Sequence, residues 1–411
     1  MDKLNKTPQY DALVIGAGVA GAAIVKSLKN NGLSNFLVVD EASQPARGTS
    51  AHEAAMCHPY IGRGASRLQR LTHLAFKEAR QVWAKHWRGE GIFHLVKRVE
   101  GFDVKAMSEY LLSLGFLPED AVAYDAKEAS EKIGISVPGT FFKQGGWVAL
   151  QDACESVFNS LEEGQKAWGV KIHKISYAEG FWHFFDAKQQ IIGSAKRVFL
   201  ANGLGVKDLA KTAGFELPLR PVRGQLSKFS FAQGSSWDQR KPQFGLSGNA
   251  YCLPPVKNDK GSYDWQVGSS YDEDIDDLTV WESSHLENKE LIKAMINPGV
   301  LDSELIIKGA FVGTRCVAKD RLPIMGPVPG LPGLYVLTAL GSRGVMWSSL
   351  ACQIFTEHLA EEIHHSVFLD DRFLAGARLA AAGLTEGLAE AFSPARFLAG
   401  ASNSKPILPS A

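Results

Sequence analysis

The stretch Tyr10-Asp-Ala-Leu-Val-Ile15, followed directly by Gly16-Ala-Gly-Val-Ala-Gly21, decides the fold of this chain. The first part is a short apolar strand, and the second is a G-x-G-x-x-G turn. Residues 22–28 then continue as a helix, and Phe36-Leu-Val-Val39 forms a second buried strand that ends at Asp40. Together these pieces make a complete βαβ unit, which is the arrangement that binds dinucleotides in many α/β proteins.

Each glycine of the turn has a separate physical role in that interpretation. Gly16 permits the tight turn, Gly18 lets the backbone approach a pyrophosphate, and Gly21 lets the helix pack closely on the strand. The helix N-terminus offers free N–H groups to the phosphates, and Asp40 stands where a carboxylate binds ribose hydroxyls. The alternative is a glycine-rich turn without a ligand, but the full strand–helix–strand–acid order favours dinucleotide binding.

The composition is that of an ordinary α/β protein. The 411 residues have room for roughly two to three domains of about 150 residues each. The 44 basic and 44 acidic residues leave no net field toward nucleic acid or acidic lipid. The five cysteines form no CxxC pair, which argues against a disulfide framework or zinc ribbon and favours a reducing cytoplasm. No apolar run is long enough to cross a bilayer, and we expect no membrane segment, targeting segment or metal site.

Charge is unevenly distributed along this neutral chain. Residues 47–105 carry a net charge of +6, whereas residues 259–304 carry −9. Within the basic segment, the leucine spacing predicts a helix whose other faces carry Arg67, Arg70, Lys77 and Arg80. Two interpretations of that helix stay open, a solvated face and an anchor for phosphates. The acidic segment is expected to be a solvated loop and helix, because it lacks the turn glycine and closing glutamate of a calcium loop.

Further elements are predicted along the rest of the chain. A helix is expected from Asp152 to Trp168, and a strand over residues 197–201 runs into the glycine turn Asn202-Gly203. Prolines and alternating strands over residues 217–304 favour an antiparallel sheet. Near the end, a buried strand over residues 333–338 is followed by Gly341-Ser-Arg-Gly344 and then by a helix over residues 345–363.

These features resemble the D-amino acid oxidase superfamily of flavoproteins, and within it the C-terminal flavin domains of the MnmC family of tRNA-modifying proteins. The resemblance covers most of residues 10–365 and rests on Gln144-Gly-Gly-Trp-Val148, Pro221-Val-Arg-Gly-Gln225, Tyr251-Cys-Leu-Pro-Pro255, Gly313-Thr-Arg-Cys316, Asp320-Arg-Leu-Pro323, Leu340-Gly-Ser-Arg-Gly344 and the tail motif Ser393-Pro-Ala-Arg-Phe397. It implies an α/β fold of the glutathione-reductase-2 type, in which a discontinuous Rossmann-like FAD-binding domain carries an inserted, mainly antiparallel β substrate domain. We expect the FAD-binding domain at residues 1–90, 141–216 and 305–365, the substrate domain at 91–140 and 217–304, and a C-terminal helical tail at 366–411.

The resemblance also implies roles for individual residues. The substrate would be an amine with a carboxymethyl group, whose carboxylate is best held by a planar guanidinium. Arg315 matches the family position for that clamp, Arg343 is a second cation, and Tyr251 matches a tyrosine whose hydroxyl reaches the same carboxylate. A surface salt bridge is the alternative for either arginine. FAD, bound non-covalently, is expected to contact Gly16, Gly18, Gly21, Asp40, Ser50, Ala201, Gly203, Gly341, Ser342 and Gly344.

Two departures from the family pattern bear on these expectations. The loop after the second strand reads Gly48-Thr-Ser-Ala-His52, where the family usually has Gly-Ala-Ser-Gly-Asn. No methyltransferase half accompanies the flavin part, so we expect a stand-alone oxidase module, with a methyltransferase supplied by a separate chain. Cys316, beside Arg315, is expected to be a small buried thiol rather than a point of covalent flavin attachment.

Three functions are compatible with these residues. The preferred function is FAD-dependent removal of the carboxymethyl group from 5-carboxymethylaminomethyl-(2-thio)uridine in tRNA, which leaves the aminomethyl base and glyoxylate. Residues 63–98 would then supply the basic surface that contacts tRNA phosphates. The second function is oxidation of a small amino acid such as glycine or sarcosine, and the third is a non-catalytic tRNA-binding module.

Overall fold

The computed structural model describes residues 8–62, 66–96, 99–296, 300–368 and 391–398. The helices in these ranges are α1 (Val19–Asn30), α2 (Arg67–Val82), α3 (Val104–Ser113), α4 (Ala126–Ile133), α5 (Leu150–Asn159), α6 (Val206–Thr212), α7 (Glu282–Ile296) and α8 (Gly344–His365). The strands are β1 (Gln9–Ile15), β2 (Phe36–Asp40), β3 (Ala55–Cys57), β4 (Trp87–Arg88), β5 (Ile92–Leu95), β6 (Ala121–Tyr124), β7 (Gly139–Phe142), β8 (Gly146–Val148), β9 (Lys166–Trp168), β10 (Lys174–Ala178), β11 (Phe181–Phe185), β12 (Ile191–Leu200), β13 (Leu219–Phe231), β14 (Gly245–Ser247), β15 (Tyr251–Cys252), β16 (Val256–Lys257), β17 (Tyr263–Gly268), β18 (Asp272–Glu273), β19 (Ile306–Ala318), β20 (Ile324–Pro327) and β21 (Leu334–Thr338).

The first sheet has a parallel centre in the order β9-β2-β1-β12-β21. The antiparallel hairpin β10–β11 extends β12, and β20 pairs antiparallel with β21. The predicted unit β1–α1–β2 is present, and the predicted C-terminal strand and helix are β21 and α8. In a sheet of this type the ligand crevice lies beyond the carboxyl ends of the strands.

Both faces of the parallel sheet are buried, which explains the continuous apolar run of β1. Ala12 and Val14 point into a core formed with α1, α2, α5 and α8. Leu13 and Ile15 point to the opposite side, into a second core that α6 and the β10–β11 hairpin cover. A strand segment buried on both faces cannot alternate with polar residues, so the buried half of β1, Ala12 to Ile15, is apolar at every position.

The second sheet is mainly antiparallel and contains β5, β6, β7 and β13 to β19. Its longest pairing joins β13 to β19 over almost their full lengths. Antiparallel structure over residues 217–304 therefore agrees with the prediction. The division into two domains remains a proposal, and we draw its later boundary after Ala318, because β19 belongs to this second sheet rather than to the parallel one.

The predicted helix from Asp152 to Trp168 is wrong in its second half. Helix α5 ends at Asn159, and residues 166–168 form strand β9, which pairs in parallel with β2. A short turn at residues 163–165 separates the two elements. The strand conformation of residues 166–168 is therefore determined by their pairing with the edge of β2 and not by the helical periodicity of the sequence.

Part of the predicted C-terminal tail falls within the described residues, and it lies against the first sheet. Phe392 is fully buried and packs its ring near Trp347 of α8. Arg396 donates two hydrogen bonds to the carboxylate of Asp320. Two of the sequence motifs that carried the resemblance, at residues 320–323 and 393–397, therefore contact each other. The rest of the predicted helical tail lies outside the described residues, and in the described ranges no helix is both long and apolar enough to cross a membrane.

Candidate active site

One large cavity, about 740 Å³ in volume, lies between the two sheets. It begins beyond the carboxyl ends of β1, β2, β12 and β21 and ends against β13, β15 and β19. Every residue predicted for the site lines this cavity except Gly21, which is buried inside α1. The cavity therefore brings the glycine turn and the predicted cations into one space.

The glycine turn at one end of the cavity leaves no room for a side chain at Gly16 or Gly21. Gly16 has a φ of +110°, and a Cβ there would lie 2.6 Å from the carbonyl oxygen of Ala201. A Cβ at Gly21 would lie 1.9 Å from the carbonyl oxygen of Gly16. The turn and the close helix packing thus both require glycine, as the motif predicts.

Asp40 ends β2 at the cavity and anchors the turn. Its carboxylate accepts the backbone N–H of Ala17 at 2.6 Å and that of Ala42 at 2.8 Å. Its carbonyl oxygen accepts the N–H of Val170, which also lines the cavity. A carboxylate oxygen has two lone pairs, so each oxygen of Asp40 keeps capacity for a further donor.

The loop at residues 48–52 reaches the start of α1. Gly18 precedes this helix, and its first N–H, from Val19, donates to the Ser50 hydroxyl at 3.0 Å. Ser50 is buried, with 9% of its surface exposed. The loop at residues 48–52, whose sequence departs from the family pattern, therefore forms part of the cavity wall next to the glycine turn.

Two more turns complete the wall at the carboxyl ends of β12 and β21. Ala201 and Gly203 follow β12, and the hydroxyl of Thr338 donates to the carbonyl oxygen of Gly203 at 2.9 Å. Gly341 has a φ of +55° in the turn that Ser342 continues, and α8 begins at Gly344. A second helix N-terminus thus faces the cavity, and helix N-termini favour negative charge.

Arg315 on β19 lies at the other end of the cavity. Its guanidinium donates to the carbonyl oxygens of Arg223 and Ser270 at 3.2 and 3.4 Å and also contacts the Ser269 hydroxyl. Burial lowers the pKa of Arg315, while nearby Tyr251 and Tyr271 oppose that effect. The guanidinium has no salt bridge to a carboxylate among the described residues.

Arg343 is the second cation of this cavity. Its guanidinium carbon lies 5.1 Å from the ring centroid of Tyr60, a cation–π contact. Burial lowers its pKa, and no acidic side chain in the described ranges forms a salt bridge with it. Two partly buried cations without a carboxylate partner among the described residues are a natural place for an anionic ligand.

Tyr251 lies close to His52, one of the residues at which the loop departs from the family pattern. Its hydroxyl is 2.7 Å from Nε2 of His52, and the amide of Gln266 is 3.4 Å from the same nitrogen. Burial, with help from Arg315 and Lys228, lowers the pKa of His52 to about 3. His52 is therefore neutral at physiological pH, and burial raises the pKa of Tyr251.

Sequence reasoning missed several cavity residues. Gly224 faces Arg315 so closely that a Cβ there would lie 2.3 Å from the guanidinium, and a glycine inside a strand is the available sequence signal for such an approach. His58 and Ser247 share a 2.8 Å hydrogen bond, and burial lowers the pKa of His58 to about 3. Tyr271 carries no sequence signal, because only the folded sheet brings it beside Arg315.

Cys316 also lines the cavity, next to Thr338. Burial raises the pKa of this thiol. A protonated thiol is a weak nucleophile. In the described ranges no cluster of three or more His, Cys, Asp or Glu side chains is arranged to hold a metal ion.

The predicted basic helix is α2, which packs against α8. Arg67, Arg70 and Lys77 are exposed, and none of them forms a salt bridge within the described residues. The helix starts seven residues after Tyr60, whose ring contacts Arg343. Exposed basic side chains therefore begin close to the cation end of the cavity, whereas Arg63 and residues 97–98 lie outside the described ranges.

The acidic run at residues 272–277 is partly tied to arginines. Asp272 pairs at 2.9 Å with Arg223, which is completely buried, and Glu273 pairs with Arg220 and Arg321. The carboxylates of this run therefore hold the wall of the cavity in place.

The residues present fit a flavin dinucleotide. One end of the cavity has the glycine turn, two helix N-termini and the Asp40 carboxylate. The other end has the two cations. The family model for FAD-dependent oxidoreductases (DAO) matches residues 11–358. The chain therefore belongs to the family of FAD-dependent oxidoreductases of the D-amino acid oxidase type.

Curated relatives narrow the comparison. The chain is 31% identical over 391 residues to the tRNA 5-methylaminomethyl-2-thiouridine biosynthesis bifunctional protein MnmC of Ralstonia nicotianae, with 86% of this chain and 57% of that protein covered. It is 30% identical to MnmC of Cupriavidus necator, with 85% and 57% covered. The chain thus spans a little more than half the length of these relatives.

A solved structure supports the same fold. Glycine oxidase from Bacillus cereus superposes with a TM-score of 0.66 and 17% sequence identity, and the match covers 86% of this chain and 99% of that one. At this identity the likeness concerns the fold.

Proposed function

We propose that this protein uses FAD to oxidise the C–N bond of a carboxymethylamine, namely the 5-carboxymethylaminomethyl-(2-thio)uridine of tRNA. The observation that carries the proposal is the pair Arg315 and Arg343. They are two partly buried cations without carboxylate partners in the described part of the chain, and they line the same cavity as the glycine turn. A carboxylate on the substrate would neutralise one of them. The names of the curated relatives refer to the biosynthesis of 5-methylaminomethyl-2-thiouridine in tRNA, and this supports a modified uridine as the substrate.

The cofactor end of the cavity would hold the dinucleotide without a covalent bond. Gly16, Gly18 and the N-terminus of α1 would meet the pyrophosphate, and Asp40 would meet the ribose. Gly21 would act indirectly by allowing α1 to pack closely. The remaining wall would be formed by Ser50, Ala201, Gly203, Gly341, Ser342 and Gly344. The buried, protonated thiol of Cys316 supports non-covalent binding.

At the cation end, Arg315 would clamp the substrate carboxylate through its planar guanidinium. Tyr251 would contribute its hydroxyl to the same carboxylate, and Arg343 would add a second positive charge. Bound FAD supplies the hydride acceptor for the carbon between the carboxylate and the amine nitrogen. Water then hydrolyses the resulting imine, which releases glyoxylate and leaves the aminomethyl group on the base.

Partners and location follow from this chemistry. Oxidation leaves an aminomethyl group, whereas the names of the relatives describe a methylaminomethyl product. We therefore propose that a methyltransferase activity acts on the product. The exposed basic residues of α2 would contact tRNA phosphates, and a tRNA substrate places the enzyme in the cytoplasm.

Anaerobic reduction of the bound flavin tests the proposal. The purified yellow protein is mixed with tRNA that carries the carboxymethylaminomethyl group, or with glycine or sarcosine, and flavin absorbance and glyoxylate are followed. Rapid reduction by the tRNA with one glyoxylate per flavin is the expected result. Reduction by glycine or sarcosine alone would assign the protein as a small-amine oxidase, and a colourless protein that binds tRNA would assign it as a binding module.

A further inference from the structure

One aromatic side chain at the cavity has no part in the chemistry described so far. Tyr271 lines the cavity, yet 44% of its surface is exposed. Large rings elsewhere, such as Trp83 and Trp237, are almost completely buried. A large exposed ring at a cavity is a natural contact surface for a ligand, because binding removes it from water.

The backbone on both sides of Tyr271 is held firmly. Before it, the N–H of Ser270 donates to the carbonyl oxygen of Gln225 at 3.2 Å. After it, Asp272 pairs with the buried Arg223 and begins β18, which joins the edge of β13. The ring is therefore presented from a supported position, which lowers the entropy lost when a ligand packs on it.

Tyr271 contacts one of the two cations and lies near the other. The guanidinium carbon of Arg315 lies 5.4 Å from its ring centroid. Its side chain is also close enough to influence the pKa of both Arg315 and Arg343. Arg343 itself contacts the ring of Tyr60. Each of the two cations at this end of the cavity therefore contacts an aromatic ring.

The two classes of substrate differ in what they extend toward this surface. If Arg315 holds the carboxylate, glycine ends at the amine nitrogen and sarcosine ends one carbon beyond it, at its N-methyl group. In the modified uridine, the carbon at the position of that methyl group is a methylene that joins the amine to a planar pyrimidine ring. Proteins commonly recognise unpaired RNA bases by stacking them on tyrosine and arginine planes.

We propose that Tyr271 is the stacking surface for the pyrimidine ring that carries the carboxymethylamino group. This residue would select a nucleobase-borne amine over a free amino acid. The inference rests on the proposed function, since it presumes that the substrate is a modified uridine.

The test compares one substrate that has the ring with one that lacks it. Single-turnover flavin reduction is measured with the free nucleoside 5-carboxymethylaminomethyluridine and with sarcosine, for the wild type, Tyr271→Leu and Tyr271→Phe. Base stacking typically contributes enough that Tyr271→Leu should lose roughly ten- to a hundredfold in efficiency with the nucleoside, mostly through weaker binding. With sarcosine the same variant should stay within about twofold of the wild type.

Controls separate the possible failures. Tyr271→Phe keeps the ring and should retain most of the nucleoside efficiency. Leu278→Ala, at a 64% exposed side chain that follows β18, should leave the efficiency with both substrates unchanged. An equal loss on both substrates would overturn the inference, because Tyr271 would then only support Arg315, and so would an unchanged nucleoside efficiency. A wild-type protein that sarcosine reduces and the nucleoside does not would instead overturn the proposed function, and the inference with it.

Discussion

The hydroxyl of Ser50 accepts a hydrogen bond at 3.0 Å from the backbone N–H of Val19, the first residue of α1. Ser50 comes from the loop after β2, so this bond ties the loop to the glycine turn. An added Cβ at Gly18 would lie 3.1 Å from the same hydroxyl. That contact is tight, but the neighbour is the end of a small side chain, which can move. Gly18 is therefore the position where a side chain reaches the cavity without breaking the fold.

The first prediction follows from that difference among the glycines. Gly18→Val should purify as a folded but colourless protein, because its side chain occupies the place of the pyrophosphate. Circular dichroism and the flavin absorbance spectrum measure the two properties separately. Gly21→Val is the matched comparison. Its Cβ would collide with the carbonyl oxygen of Gly16, so this variant should lose both folding and colour. A fully yellow Gly18→Val would refute the cofactor assignment.

The second prediction concerns stability in acid. His52 and His58 both have pKa values lowered by burial to about 3. In the unfolded chain a histidine binds a proton below pH about 6.5, so the unfolded state takes up more protons and stability falls as pH drops from 6.5 toward 3. At pH 5.5 each group should reduce the free energy of unfolding by roughly 1.4 kcal/mol relative to a histidine-free site.

Urea denaturation at pH 7 and pH 5.5 measures that loss. His52→Asn and His58→Asn should each lower the number of protons taken up on unfolding at pH 5.5 by about one. Each variant should therefore lose less unfolding free energy than the wild type between pH 7 and pH 5.5. His365→Asn is the control for removing an exposed histidine, because its side chain is 57% exposed. A wild-type protein equally stable at both pH values would contradict the assignment of two rings that stay neutral in the folded state.

Local sequence patterns were enough to predict the cofactor end of the site. The unit β1–α1–β2 and the pair β21–α8 were predicted correctly, because each depends on a glycine turn between short-range elements. Residues 166–168 were predicted wrongly as helix. Ala167 and Trp168 fit either period, and pairing with β2 decides between them. The deciding interaction is distant in sequence, so the local pattern could not reveal it.

The cation end depends on pairing between distant strands, and this limited what the sequence could predict. Arg315 was singled out from its motif, but its environment is set by the register of β13 against β19, in which Gly224 lies opposite Gly313. That register brings the guanidinium over Gly224 and beside Tyr271. Tyr271 lies between a serine pair and an acidic run and has no distinctive pattern of its own, so only the fold identifies it as a cavity residue.

The third prediction tests the basic surface of α2. Replacing Arg67, Arg70 and Lys77 together by glutamine should reduce the magnitude of the slope of log affinity for tRNA against log salt by roughly 2 to 3. The reason is that binding releases fewer counterions when the protein contacts fewer phosphates. Filter binding at several salt concentrations measures this slope. The matched control replaces three exposed lysines elsewhere, Lys127, Lys188 and Lys260, and should leave the slope unchanged. Equal slopes for both triple variants would exclude α2 as the tRNA contact.

The last prediction concerns Arg315. A hydrogen bond to a charged partner contributes roughly 1.5–3 kcal/mol, so Arg315→Ala should lose at least about ten- to a hundredfold in the efficiency of flavin reduction by the carboxymethylamine substrate. Arg315→Lys keeps the charge but loses the planar fork, and it should recover only part of that loss. Arg321→Ala is the matched control, since its side chain is 65% exposed and pairs with Glu273. FAD content should stay normal in all three variants, because Arg315 lies at the opposite end of the cavity from the glycine turn. If the lost activity instead follows lost flavin, Arg315 supports the fold of the cavity rather than the substrate.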